Sequence, residues 1–455
     1  MQMKSEKIKS IMSTIIIIAI IFVGCLIYKR YNFNNYVKAE YNLGVSKFER
    51  DSEIKCTEND SYKIINTDYN DAMFYQTIEV KPNTPYKVTC KIKTENVQSK
   101  NKTTDSGAHM CIAETLEKSD NIEGTQDWTE VEFYFNSKNR TEVDVGFRLG
   151  GFEDNCIGTA WFSDFKVESG IADESNTWNF LCVLFDNVDV NIQKDGINKN
   201  VKLHLNQIDK EDISLCMRRF QNSMEEMSKG KMKVKYDIKE TTQPITELTY
   251  DEDNGYYVSG YNVKDVIDPY IEQGIYDHIF IVFRTGDINQ KGAIPVNDWI
   301  GLGSMEYRGL GFSNIRLPDD SNSYIYKYDV RANTFPEEVF VHEFLHTLER
   351  NAEEYGEERP ELHDNYRYSY ISKDLIGLKE WYEDYMNKEI KTLTKNIGLP
   401  QDIYTKKPVK TTDFEYSHVL NNCLKDPENI FEELNSIFNR LKDAFIITVE
   451  TLSGE

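Results

Sequence analysis

The period of the apolar residues changes once along the chain, and that change constrains the fold most. From about residue 41 to 168, apolar and polar side chains alternate. In YKVTCKIK, Tyr86, Val88, Cys90 and Ile92 share one face, while Lys87, Thr89, Lys91 and Lys93 share the other. WTEVEFYF adds Val131, Phe133 and Phe135, and TEVDVGFRL adds Val143, Val145, Phe147 and Leu149. A period of two is the pattern of a strand with one wet face. Turn-rich segments such as KPNTP and GGFEDNCIG separate these runs, and no helical pattern interrupts them. Residues 41–168 are therefore expected to form an all-β sandwich or jelly roll.

Beyond a polar linker at 169–177 the pattern becomes strand, helix, strand, helix, strand. WNFLCVLFDNVDVNI reads as a buried strand, and DKEDISLCMRRFQNSMEEMSKG as a helix that Asp209 caps and Gly230 ends. KMKVKYDIKE is a second strand, NVKDVIDPYIEQG a helix that tolerates Pro269, and HIFIVF (278–283) a central strand, apolar throughout. The chain from 334 on reads as mostly helical. This predicts an α+β domain over 178–455, with a mixed sheet and a helical C-terminal part.

The N-terminus gives a topological signal. Lys4, Lys7 and Lys9 precede an uncharged run, Ile11 to Tyr28, and Lys29 and Arg30 follow it. At 1.5 Å per residue such a run gives about 27 Å of helix, enough to span a bilayer. Residues 1–30 are thus expected to be a membrane helix acting as an uncleaved signal anchor, with a stalk at 31–40. IFVGC, ending at Cys25, also fits a lipoprotein signal, and a cleaved signal is the third alternative. All three place the main body outside the cytoplasm, and the anchor and the lipoprotein hold it at the cell membrane. There, one or two disulfides among Cys56, Cys90, Cys111 and Cys156 are compatible with the sequence, as are simple buried thiols. The formal net charge of −23 argues against nucleic acid as a partner.

The chemistry concentrates in TFPEEVFVHEFLHTLERNAEEYG (334–356). Thr334 as N-cap with Glu337 three residues on makes a capping box, with Pro336 in the first turn, and Gly356 ends the helix. His342 and His346 then lie one turn apart on one face, where both imidazoles reach one cation, and tetrahedral zinc suits them. Glu343 lies one residue round, placed to take a proton from water and pass it on as general base. Only seven histidines occur in 455 residues, so this spacing is a poor candidate for accident. The bland alternative is two hydrogen-bonded core histidines on an apolar helix. A third ligand must come from downstream. His363, in ERPELHDNY, is the first candidate, with Asp364, Glu349, Glu353 and Glu354 as the others. Glu349 shares the face of His342, and as a non-ligand it would orient a histidine.

With HEFLH after a sheet, a later histidine and a later methionine, residues 178–455 resemble the zincin metallopeptidases, and the order is similar to that of metzincins. The resemblance implies zinc-dependent hydrolysis of a protein or peptide substrate. It further implies an edge strand above the helix that holds the substrate backbone, for which the glycine-containing stretch 298–318 is the candidate, with a glycine-rich surface loop as the alternative for that stretch. It also implies a methionine turn at Met386 in WYEDYMN, with Tyr385 near an oxyanion, although the same spacing suits plain core packing. Metzincins place the third histidine six residues after the second, whereas His363 follows His346 by seventeen. Residues 41–168, with DWTEVEFYF and GTAWFSDFKVESG, resemble the galactose-binding-like carbohydrate-binding modules. That likeness implies a glycan or cell-wall partner, Trp128 and Trp161 as stacking candidates, and a structural calcium with Asp164 in the matching strand. The alternative from another class is a non-catalytic surface adhesin or carbohydrate-binding protein with a degenerate zincin-like domain. Nothing singles out the carboxylate pair a glycoside hydrolase requires.

Overall fold

The computed structural model describes residues 37–414 apart from 102–105, 287–292, 319–323, 326–334, 359–360, 372–375 and positions 116, 153, 195 and 298, and it also describes 418–419. The apolar run at 11–28, Cys25, Cys423 and Thr334 lie outside the described residues. Among the described residues, no helix is long and apolar enough to cross a membrane.

The alternating region forms two antiparallel sheets face to face. One has the order β1 (Val37–Glu40), β4 (Ala72–Glu79), β8 (Glu142–Gly150), β6 (Gly107–Ile112). The other runs β2 (Ser46–Asp51), β3 (Ser61–Asn70), β9 (Cys156–Ser169), β5 (Pro85–Ser99), β7 (Gly124–Asn136). The predicted inward residues are the core: Tyr86, Val88, Cys90, Ile92, Val131, Phe133, Phe135 and Phe147 are all buried. Phe147 of one sheet meets Phe162 of the other at 5.1 Å between ring centroids. The sandwich begins earlier than the alternation suggests. Residues 37–40, expected as stalk, pair antiparallel with β4 as an edge strand. Their side chains are mostly exposed, so no hydrophobic pattern marks them. Cys56, Cys90, Cys111 and Cys156 are all free.

The second region is a five-stranded mixed sheet of order β13-β10-β16-β18-β17. It is built from β10 (Thr177–Phe185), β13 (Lys233–Thr241), β16 (His278–Arg284), β17 (Gly301–Tyr307) and β18 (Leu310–Leu317). A hairpin, β11 (Asn187–Lys194) with β12 (Ile197–His204), and a small one, β14 (Thr249–Asp251) with β15 (Gly255–Tyr257), lie outside this sheet. Only β17 runs antiparallel to its neighbour, and it forms one edge. Every residue of β16 is buried, as a central strand covered on both faces requires. On one face Phe180 and Phe280 pack on helix α1 (Gln207–Met227) through Phe220, and on helix α3 (Glu338–Glu354) through Phe340 and Phe344. A short helix, α2 (Lys264–Ile271), carries Pro269 inside it.

Two caps differ from expectation. Asn206 caps α1, and Asp209 is its capping-box partner three residues on. Helix α3 starts at Glu338, with Pro336 in the turn before it, and Glu337 makes no cap: its carboxylate accepts a hydrogen bond from Ser223 of α1 at 2.8 Å. A tertiary partner has taken the side chain that local capping would use. Beyond α4 (Arg367–Ile371) and α5 (Ile376–Met386), the described residues form short two-residue strands and 3₁₀ turns, and the rest of the predicted helical part, from 420 on, lies outside the described residues.

His278, on β16, is fully buried behind α3, 3.1 Å from the Ser313 hydroxyl and 3.3 Å from that of Thr347. Burial holds its imidazole down to about 3. An unfolded histidine takes a proton near pH 6.5. Between these values the unfolded chain binds the extra proton, so stability falls as pH drops from about 6.5 towards 3. The expected loss between pH 6.5 and 4 is on the order of 3 kcal/mol. Urea unfolding at the two pH values checks this, and the pH-dependent part should shrink in His278→Gln.

Candidate metal centre

Helix α3 exists because its apolar stripe is needed. Phe340, Val341, Phe344, Leu345, Leu348 and Ala352 are fully buried, and Phe344 meets Trp178 edge-on at 5.1 Å. That docking leaves His342 and His346 half-buried along one side. A loop anchored by the fully buried Leu362 brings in His363. One ligand atom from each of His342, His346 and His363 lies within 4.8 Å of the others. His346 Nε2 is 3.2 Å from Nε2 of both His342 and His363.

Outer partners decide which way the imidazole lone pairs point. The Glu349 carboxylate, itself buried, lies 2.8 Å from His346 Nδ1. A carboxylate accepts, so Nδ1 carries the proton and Nε2 keeps its lone pair. The other Glu349 oxygen accepts from the Leu362 backbone N–H at 2.5 Å, which holds the His363 loop against the helix. On the other side Tyr382 of α5 donates to Glu338, and its oxygen lies 2.9 Å from His342 Nδ1. That oxygen is then an acceptor, and His342 likewise presents an unprotonated Nε2. Burial first, then the neighbouring histidines, pull His342 well below the usual histidine range and lower His363. The Nε2 atoms of His342 and His346 are thus turned toward each other and toward His363 Nε2, an arrangement that calls for a cation. Tetrahedral zinc at 2.0–2.1 Å from each nitrogen needs about 3.3 Å between them, which the two separations from His346 Nε2 match. Among the described residues this is the metal-competent cluster.

Glu343 is buried and faces the same cleft, whose volume is about 540 Å³. A Cβ added at Gly301 would fall 2.4 Å from Glu343 Cγ, and one at Gly303 2.6 Å from the Glu343 carbonyl oxygen. Only glycine there lets β17 lie directly on the helix, and the Gly303 N–H bonds the Glu343 carboxylate. Burial first, then the Glu338 charge, push Glu343 up to about 8. Trp299, Tyr324, Phe335 and Arg367 complete the cleft.

The other expected site residues fall elsewhere. Tyr385 is fully buried against Trp381 at 6.1 Å and does not line the cleft. It lies about 60° round α5 from Tyr382, and the docked face of the helix chooses Tyr382. Met386 is core. Asp364 accepts from the Tyr366 N–H, and Glu354 pairs with Lys138 of the sandwich. Trp161 is buried and donates to Asp51 at 2.9 Å, whereas Trp128 is half-buried. Asp164 pairs with Lys91 at 3.6 Å and Lys166 at 3.2 Å, cations where a calcium would be expected. Sequence reasoning missed Tyr382 and Glu338. Their only signal was that Glu338 precedes His342 by one helical turn.

Removing Glu349 tests this arrangement. In Glu349→Ala, zinc affinity should fall about 10- to 100-fold, as for other outer-shell partners. Competition with a chromophoric chelator measures it, and unchanged affinity would leave Glu349 a structural clamp only.

No family model matches the sequence, and no curated protein matches it. Solved structures do match. The enzymatically active domain of tailspike protein 4 from bacteriophage CBA120 aligns at 10% identity over 30% of this chain and 20% of its own, with a TM-score of 0.24. The chain thus spans about a fifth of that domain. TmCBM61, in complex with β-1,4-galactotriose, aligns at 14% identity over 31% of this chain and 92% of its own, TM-score 0.22. The CBM22-1 xylan-binding domain of Paenibacillus barcinonensis Xyn10C aligns at 9% identity over 31% of this chain and 88% of its own, TM-score 0.21. At these scores the likeness carries no argument about function.

Proposed function

We propose that the chain is a zinc-dependent metallopeptidase. The observation that supports this most is the convergence of three imidazole nitrogens beside a buried carboxylate, in a cleft floored by a glycine-lined strand edge. His342, His346 and His363 would hold the ion. Zinc bound by three histidines acidifies a water to a pKa near 7 and polarises a carbonyl. Glu343 takes the proton of the attacking water and delivers it to the leaving amine. Its raised proton affinity suits both halves of that task near neutral pH. β17, an edge strand of the sheet among the described residues, holds the substrate backbone in extended form. Glu338 with Tyr382, and Glu349, keep two of the imidazoles turned inward. The test is hydrolysis of unstructured polypeptides by the purified protein. Activity should vanish with a chelator and return with zinc.

The sandwich is proposed to bind a glycan or cell-wall polymer, and residues 11–28 to hold the body outside the cytoplasm. A second reading is favoured by the sandwich itself: a surface adhesin or carbohydrate-binding protein that cleaves nothing. Glycan binding without any peptide hydrolysis in zinc-loaded protein would select it.

A further inference from the structure

A second groove, of about 730 Å³, lies between the sandwich and the mixed-sheet domain. It is larger than the cleft at the histidines, whose volume is about 540 Å³. The two share a wall. The first half of β17, Gly301 to Ser304, borders the histidine cleft, and the second half, Ser304 to Tyr307, borders the groove. Across from it stands the sandwich, with Tyr134 of β7. Arg350, in α3, donates to the Ser304 carbonyl at 2.9 Å where the two spaces meet, and so fixes helix and strand together.

The groove is a built feature rather than a loose gap. Arg308 bridges to Asp120 of the sandwich at 3.1 Å. Tyr355, at the end of α3, donates to Asn83 at 3.0 Å. The charges lining the groove largely neutralise one another: Arg140 pairs with Glu117 at 3.2 Å and Arg350 with Glu306 at 3.3 Å. A ligand therefore meets little net charge. It meets tyrosine faces and the edge of a strand.

We infer that this groove is an extended substrate site and that its occupant is a polypeptide continuing, in strand form, out of the histidine cleft. The inference rests on the peptidase reading and adds the substrate class: long, extended chains rather than short peptides. β17 passes from one space into the other through an irregularity between Leu302 and Met305, where Arg350 takes the Ser304 carbonyl; beyond it, the edge from Met305 to Tyr307 is of the kind another backbone recognises and a glycan does not. At about 3.3 Å per residue, a substrate cleaved beside Gly303 needs about four further residues to reach Tyr307. The sandwich thereby becomes part of substrate selection. With its charges paired, the site selects by backbone and apolar contact, so binding should change little with salt.

The experiment uses the full chain loaded with zinc and two peptides, a hexamer and the same hexamer extended by about six residues at each end. The extended peptide should show a KM about tenfold lower. Tyr134→Ala should raise that KM by about tenfold, the scale of one aromatic contact, and leave hexamer cleavage unchanged. Equal KM values for the two peptides, or a Tyr134→Ala variant that affects both alike, would overturn the inference. Fluorescence anisotropy of the labelled extended peptide on Glu343→Gln reads binding alone. Peptide binding that Tyr134→Ala weakens, without hydrolysis in the native chain, sinks the peptidase reading but keeps the groove. Displacement of that peptide by an oligosaccharide would assign the groove to a glycan and overturn the inference.

Discussion

Glu343→Gln should lower kcat for peptide hydrolysis about a thousandfold, within the range for loss of a general acid–base. The amide has the shape of the carboxylate and still accepts from the Gly303 N–H, so the edge strand stays seated on the helix. What disappears is the group proposed to take and return the proton. Zinc content should not change, because Glu343 is not among the converging nitrogens. Stability has a definite sign too. A carboxylate whose proton affinity is raised to about 8 by burial and by Glu338 costs the folded state stability as pH rises above the unfolded value. The metal-free variant should therefore be at least as stable as the parent at pH 8. Thermal unfolding and steady-state kinetics on the same preparation check both halves. Retained hydrolysis would remove Glu343 from the reaction.

His346→Ala should cost more zinc affinity than any outer-shell change, beyond the about 100-fold expected of those. His346 is the middle of the cluster, with Nε2 3.2 Å from each of its two partners. Its loss leaves His342 and His363 without the nitrogen that lies between them. It also leaves the Glu349 carboxylate buried without its imidazole, while its hold on Leu362 persists. Hydrolysis should fall to background at ordinary zinc concentrations. The parent's Tm should rise with added zinc, because a ligand that binds the folded state stabilises it in proportion to RT ln(1 + [L]/Kd). The His346→Ala Tm should not respond. A variant that keeps the zinc-dependent Tm would place the ion elsewhere.

Much of the fold was legible because it rests on repeated physical choices. The alternation in β5, β7 and β8 specifies which side chains face inward, and the continuous apolar run of β16 marks a strand covered on both faces. The grouping of His342, Glu343 and His346 was legible because spacing along one helix suffices. His363 could be named because histidines are scarce, and the structure brings it beside His346. Rotation and tertiary competition were not legible. Tyr382 and Tyr385 sit three apart on α5, and only the docked orientation of that helix puts Tyr382 beside His342. Glu337 is spent on Ser223, and β1 forms against β4 with almost no buried side chain of its own. The domain junction was equally silent, because Arg308–Asp120 and Lys138–Glu354 join residues distant in sequence.

The most direct test of the central claim is diffraction from crystals of the purified protein recorded on either side of the zinc absorption edge. The predicted result is one anomalous peak, 2.0–2.1 Å from an imidazole nitrogen of each of His342, His346 and His363, with an open position facing Glu343. No peak there in zinc-loaded crystals, or a zinc ion held by other residues, would contradict the account.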